Sequence, residues 1–289
     1  MTQYHHTVPP YFVRPDHPIT IILIGLGGTG SLLLTKLAQI NSTLMALQHP
    51  GIQVAAWDGD IVTEANIGRQ NFFPADLDRN KAEVLIERVN RAFGFGWVSV
   101  PDYYPNDKTD YSKVNANIFI TCVDSAMARE RVHKRLTAHY TNKILRSTES
   151  REINFIHDIA YWMDIGNTQN SGQIILGTPQ ALAQPKDLDG ATGFLPTIMD
   201  LYPDLHKYEN PDLPSCSVAE SLQKQDLMIN GMMAMWAGKL LWDMFRKIRI
   251  QHSGVYVNLN TYQVNPMPIT PFDLFESVIK KPKKRLQKK

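Results

Sequence analysis

Residues Ile19–Ile24 (ITIILI) run directly into Gly25-Leu-Gly-Gly-Thr-Gly30, and no other feature restricts the fold as tightly. A branched, mostly apolar run without alternation describes a strand buried on both faces, as in a parallel sheet covered by helices. The following residues 31–40 (SLLLTKLAQI) space their apolar side chains three and four apart and read as a helix. Glycines between a strand and a helix let the backbone approach a phosphate, while the helix N-terminus offers N–H groups and the positive end of its dipole. A turn that only packs helix on sheet would use the same glycines. The signal points to a nucleotide without saying which.

Strand and helix keep alternating through residue 140. A second strand covers Ile52–Trp57 and ends in Asp58-Gly59-Asp60; residues 80–93 form an amphipathic helix; Val98–Val100 is a short strand; residues 116–123 are another buried strand ending at Asp124; residues 125–139 are a helix. That order predicts a parallel sheet with right-handed crossovers. Beyond it, residues 154–165 and 172–177 read as strands, 178–215 as a proline-rich loop, 218–250 as a long helix and 254–259 as a late strand. No internal repeat is visible. The expected fold is α/β, a Rossmann-like doubly wound and mainly parallel sheet with helices on both faces and a C-terminal β-rich extension. The expected organisation is a polar leader (1–18), one domain (19–279) with its nucleotide-binding half at 19–140, and a basic tail (280–289).

Charge is unevenly placed. The segment KKPKKRLQKK holds seven of the 30 Lys and Arg residues and none of the 28 acids, so the remainder of the chain is net acidic. No broad phosphate-binding surface is expected on the body, and nucleic acid is an expected partner only through the tail, which otherwise reads as a solvated end. Two cysteines, Cys122 and Cys216, allow neither a disulfide framework nor a four-cysteine zinc site. No run approaches the roughly 20 apolar residues of a membrane span, and no secretory leader is apparent, so a reduced, cytoplasmic protein is expected.

The residues after the second strand carry the chemistry. Asp58-Gly-Asp60 is followed by Asn66-Ile-Gly-Arg69-Gln70, then by Asn80-Lys81-Ala82 at a helix start, then by Asp124 after an apolar strand. A carboxylate at a strand end can accept hydrogen bonds from ribose, Arg69 and Lys81 are cations suited to phosphates, Asn66 and Gln70 can hydrogen-bond phosphate or ribose oxygens, and Asp124 is a hard oxygen donor suited to magnesium. Alone, each has a plainer explanation, a solvated lysine or an aspartate helix cap. Their joint order does not.

Taken together these motifs resemble the ThiF/MoeB/ubiquitin-activating-enzyme family, and within it the ThiF-related proteins of the plasmid-borne PRTRC cassette. The resemblance covers residues 19–140 well and 210–260 more loosely. It implies an adenylyltransferase that uses ATP and Mg²⁺ to activate the C-terminal carboxylate of a small ubiquitin-like β-grasp protein ending in glycine, and it implies a homodimer. It places the nucleotide on Gly25, Gly27, Gly28, Gly30, Asp58, Asp60, Asn66, Arg69, Gln70 and Lys81. Asp58 would serve ribose; Arg69, Lys81 and Asp124 would be catalytic, with Asp124 also the metal ligand. Cys216, just before the long helix and after a crossover loop at 178–215, matches the family's thioester cysteine; a thiol near a helix N-terminus has a lowered pKa.

The chain also departs from the family pattern. Without C-x-x-C pairs no structural zinc is expected, the leader arginine of MoeB-like members has only Arg14 as a substitute, and Ser125 stands where asparagine is frequent. Cys122 is expected in the core, His5 and His6 exposed, and Met228, Met232, Met233 and Met235 in core or dimer packing. Two other functions stay open at this level: a nucleotide-binding interaction protein without turnover, and a nicotinamide-dependent oxidoreductase sharing the glycine loop and Asp58.

Overall fold

The computed structural model describes residues 4–106, 114–144, 158–185, 188–208 and 225–271. The element order is β1 (His6–Thr7), α1 (Pro10–Val13), β2 (Ile19–Ile24), α2 (Gly28–Ala46), β3 (Ile52–Trp57), α3 (Lys81–Phe93), β4 (Val98–Val100), β5 (Ile118–Thr121), α4 (Ala126–Ile144), β6 (Tyr161–Asn167), β7 (Ser171–Gly177), α5 (Ile198–Leu201), α6 (Ile229–Arg246), β8 (Arg249–Ile250), β9 (His252–Asn258) and β10 (Gln263–Pro268).

Eight strands form one sheet in the order β10-β9-β7-β6-β5-β2-β3-β4. The pairs from β6 through β4 are parallel, and those from β6 to β10 are antiparallel. The expected α/β, Rossmann-like fold and its β-rich C-terminal extension are therefore present. The chain leaves β2 outward to β3 and β4, then returns to the other side of β2 with β5. That reversal is a topological switch point at the carboxyl ends of β2 and β5, where ligands of open α/β sheets bind.

The buried faces explain the elements. Ile19, Ile21 and Leu23 of β2 lie in the core with Leu33, Leu34 and Leu37 of α2 and Met233, Ala237 and Leu241 of α6. The other sheet face gathers Ile22, Ile24, Trp57, Phe119, Val132 and Trp162. Burial on both faces is what an unalternating apolar strand requires.

Several boundaries differ from expectation. Helix α2 begins three residues earlier, inside the glycine loop, and continues to Ala46 because Asn41 is buried and accepts the Ile52 N–H at 2.7 Å, tying the helix to β3. Strand β5 is shorter than 116–123. Helix α6 is shorter than 218–250: residues 218–224 lie outside the described residues, Asp226 and Leu227 precede the helix, and after Arg246 the chain turns extended to form β8 against β1. Met233 is buried, whereas Met228 and Met235 are exposed.

The segment before β2 is no loose leader among its described residues. Val8 and Phe12 are fully buried, and His6, expected at the surface, has no exposure at all; His5 is also buried. His6 Nδ1–H donates to the Thr192 carbonyl at 2.7 Å, and Nε2 accepts from the Tyr161 hydroxyl at 2.7 Å. These two partners satisfy both ring nitrogens, so burial of a neutral imidazole is tolerated. No helix among the described residues is long and apolar enough to cross a membrane.

Candidate functional site

The glycine loop is shaped by close approach. Gly25 has φ of +86°, and a Cβ there would lie 2.8 Å from the Cys122 carbonyl oxygen. A Cβ on Gly30 would meet the Gly25 carbonyl oxygen at 1.9 Å, and one on Gly28 would meet Asn230 Nδ2 at 2.5 Å. Gly28, expected to touch nucleotide, is thus occupied in admitting Asn230. A Cβ on Gly27 would meet nothing within 4 Å. Gly27 is also the N-cap residue of α2, which has no side-chain cap and no acidic residue in its first turn. The open face of the loop is therefore an uncapped helix start, suited to an anion.

Asp58 closes the loop from the end of β3. Its Oδ2 accepts the Leu26 N–H at 2.5 Å and its Oδ1 accepts the Asp60 N–H at 2.9 Å. Burial pushes this carboxyl above its ordinary value, opposed by those hydrogen bonds and by the charge of Lys81. Asp60, two residues on, accepts from Lys81 Nζ at 2.9 Å and from the Tyr103 hydroxyl at 2.7 Å. Burial acts to raise Asp60, but those two donors hold it below the usual carboxylate value. Asn80 caps α3, accepting from Ala82 and Glu83 N–H, while its amide nitrogen donates to the carbonyls of Asp58 and Asp60. That single side chain places Lys81 beside the Asp58–Asp60 turn.

Asn66 Oδ1 is engaged locally: it accepts the N–H and hydroxyl of Thr63, capping a 3-10 turn. Gln70 is buried, and its Oε1 has no hydrogen-bond partner among the described residues. Arg69 is half-buried. Its Nη1 donates to Gln225 Oε1 at 2.8 Å, its Nε is buried without a partner among the described residues, and burial draws its pKa down.

Asp124 follows β5 and is exposed. No hydrogen bond or ion pair engages its carboxylate among the described residues. Behind it, Arg129 Nε donates to Asp164 at 2.9 Å, and Arg129 Nη2 donates to the Val123 carbonyl at 2.6 Å. Asp164 also accepts the Thr121 hydroxyl. This buried network fixes the strand end from which Asp124 projects. Cys122 is partly buried and packs against the core as expected, and burial pushes its thiol pKa up. Cys216 lies outside the described residues.

The structure thus brings Gly27, Asp58, Asp60, Lys81 and Asp124 to the carboxyl ends of β2, β3 and β5; Gly28 also packs on Asn230, and Asn66 Oδ1 also caps a turn. It adds residues that sequence reasoning missed. Asn230 of α6 accepts the Thr29 hydroxyl at 3.1 Å and the Asn167 amide at 3.1 Å, and it donates to Gln225 at 3.1 Å. Tyr103 lays its ring against Gly59, where a Cβ would lie 2.6 Å from it.

A family model for ThiF matches residues 17–277. The chain belongs to the ThiF family. A search of curated proteins finds no match. Among solved structures, this ThiF-family chain is similar in fold to PaaA, with a TM-score of 0.55 and 13% identity over 87% of this chain and 64% of that one. It is similar to E. coli MccB, with a TM-score of 0.54 and 15% identity over 91% of this chain and 65% of that one. It is also similar to E. coli MccB crystallised with MccA, at 0.53 and 16% over 88% and 65%. The chain therefore spans a little under two thirds of the length of these structures.

Proposed function

We propose that the chain is an ATP-dependent adenylyltransferase of the ubiquitin-activating-enzyme kind, acting on the C-terminal carboxylate of a small ubiquitin-like β-grasp protein that ends in glycine. The observation that carries this reading is the makeup of one sheet edge. The carboxyl ends of β2, β3 and β5 carry an uncapped helix start at Gly27, the paired Lys81 and an exposed, unpartnered Asp124. Support also comes from what MccB binds: one crystal structure of that protein holds AMPCPP together with MccA.

The residues present fit a magnesium-bound triphosphate. Asp124 is a hard oxygen ligand without a cation beside it among the described residues, and it would hold the metal. Bound magnesium would neutralise phosphate charge and polarise the reacting phosphoryl group. Asp58 would orient the ribose. The amides at Gly27–Gly28, Arg69 and Lys81 would hold the phosphates. In the reaction, an oxygen of the partner's carboxylate attacks the α-phosphorus, the bond to the β-phosphate oxygen breaks, and pyrophosphate leaves. Negative charge gathers on the phosphates in that step, and fixed cations stabilise it without reorganising. Transfer of the acyl group to Cys216 would be a further step, giving a thioester and releasing AMP. A homodimer, a cytoplasmic location and kinship with the PRTRC members belong to the same reading.

Thermal unfolding with ATP·Mg²⁺ and, separately, with NAD⁺ or NADH tests it. A ligand at about 100 times its Kd adds about 2.7 kcal/mol of stability. Stabilisation by ATP·Mg²⁺ alone is expected, and a response to NAD⁺ alone would replace adenylation by oxidoreductase chemistry.

A further inference from the structure

We infer that Gln225 is a positioning residue for the Arg69 guanidinium, holding it by a neutral acceptor so that its charge stays available to phosphate. The inference rests on the adenylation reading of the site. Gln225 comes from the far end of the chain, just before α6, yet its Oε1 accepts from Arg69 Nη1 at 2.8 Å and from Asn230 Nδ2 at 3.1 Å. Gln225 is itself held in place. The next residue, Asp226, donates its N–H to the Gln169 carbonyl at 2.8 Å. Asn230 is buried and receives the Thr29 hydroxyl from the first turn of α2. One continuous set of hydrogen bonds therefore joins the glycine loop, α6 and Arg69.

The chemistry of the acceptor matters. Arg69 is half-buried, its Nε has no partner among the described residues, and no carboxylate among them pairs with it. A glutamate at position 225 would make an ion pair and cancel the charge. A glutamine fixes the same nitrogen and cancels nothing. The amide thus restricts the rotamers of a long side chain while leaving a full positive charge for an incoming anion.

Calorimetric titration of the full chain with ATP·Mg²⁺ and with inorganic tripolyphosphate tests the inference in wild type, Gln225→Glu and Gln225→Ala. Gln225→Glu is expected to weaken both ligands by about tenfold or more without lowering Tm, because the new carboxylate pairs with Arg69. Gln225→Ala keeps the charge and loses only the tether, so about a threefold loss is expected. Equal losses in the two variants, or an undiminished affinity in Gln225→Glu, would overturn the inference. If wild type binds neither ligand, the adenylation reading fails by itself. The Gln225 assignment is then decided by phenylglyoxal modification of Arg69, followed by mass spectrometry. Slower modification in Gln225→Glu than in wild type upholds it, and an unchanged rate overturns it.

Discussion

The Lys81 ammonium rests 2.9 Å from the Asp60 carboxylate, with the lysine side chain 8% exposed and the aspartate 49%. A buried ammonium needs a partner, and the partner here sits at the rim, where a phosphate can compete for the same cation. Lys81→Met keeps the length of the side chain and removes its charge. The expected result is a loss of about 100-fold in partner-dependent ATP–pyrophosphate exchange, with the Tm shifted by only a few degrees, since Asp60 can turn to water. An exchange rate close to that of wild type would take Lys81 out of the phosphate site.

Asp124 has a different signature, because no hydrogen bond or ion pair among the described residues leans on it. Asp124→Asn is expected to leave the unliganded Tm unchanged, surface changes of this kind staying within about 0.5 kcal/mol. With ATP·Mg²⁺ present the variant should lose at least a tenfold share of affinity, about 1.4 kcal/mol of ligand stabilisation. Titrating Mg²⁺ at fixed ATP checks the cause: the loss should shrink as the metal is raised.

His6 makes the fold sensitive to acid. Its pKa is lowered to about 4, chiefly by burial, with the Thr192 carbonyl opposing and His5 adding to the shift. The unfolded ring titrates near 6.5, so it takes up its proton before the folded one does. The resulting stability is complete above about pH 6.5 and is lost as pH falls toward 4. The shift corresponds to roughly 3 kcal/mol. Urea unfolding at pH 7 and pH 4.5 should show His6→Asn losing about 2–3 kcal/mol less than wild type between the two. His49 and His133, also lowered by burial, keep their share of the acid sensitivity in both proteins. Parallel losses in the two proteins would show that His6 does not set this slope.

The Arg129–Asp164 pair is buried on both sides, at 9% and 1% exposure. Asp164→Ala strands the guanidinium, and a cost of about 3–5 kcal/mol is expected from denaturant unfolding. The double variant Arg129→Met, Asp164→Leu should recover most of that, since neither charge is then left alone. Failure of the double variant to recover would mean that the hydrogen bonds from Arg129 to Val123 and from Thr121 to Asp164 matter more than the charges do.

The parts of the site legible in sequence are those built by neighbours in the chain. The run into Gly25–Gly30, Asp58 at the end of β3, and Asn80-Lys81 at the start of α3 announce themselves because strand, turn and cap chemistry are local. Asn230 and Gln225 were not legible, since their partners Thr29 and Arg69 lie more than 150 residues away and no periodicity encodes such a meeting. His6 was misread for the same reason: what lets it be buried is Tyr161 and Thr192. Strand β10 escaped notice because Pro266 and Pro268 contradict a strand pattern, yet an edge strand tolerates them. The cap that Asn66 Oδ1 makes on Thr63 was also not legible, because an amide in this motif serves a turn as readily as a ligand.

The pairing of β1 with β8 also bears on when this protein becomes whole. His6 sits opposite Ile250, so one strand leaves the ribosome about 240 residues before its partner. At typical synthesis rates that interval is on the order of ten to fifty seconds. Throughout it, Val8 and Phe12 have no α6 to cover them, and the nucleotide loop lacks the Asn230 that packs on Gly28. A nascent chain released short of α6 would carry every phosphate motif of the first half and still present an unfinished pocket. Ligand binding thus becomes a certificate that α6 has been made and has docked.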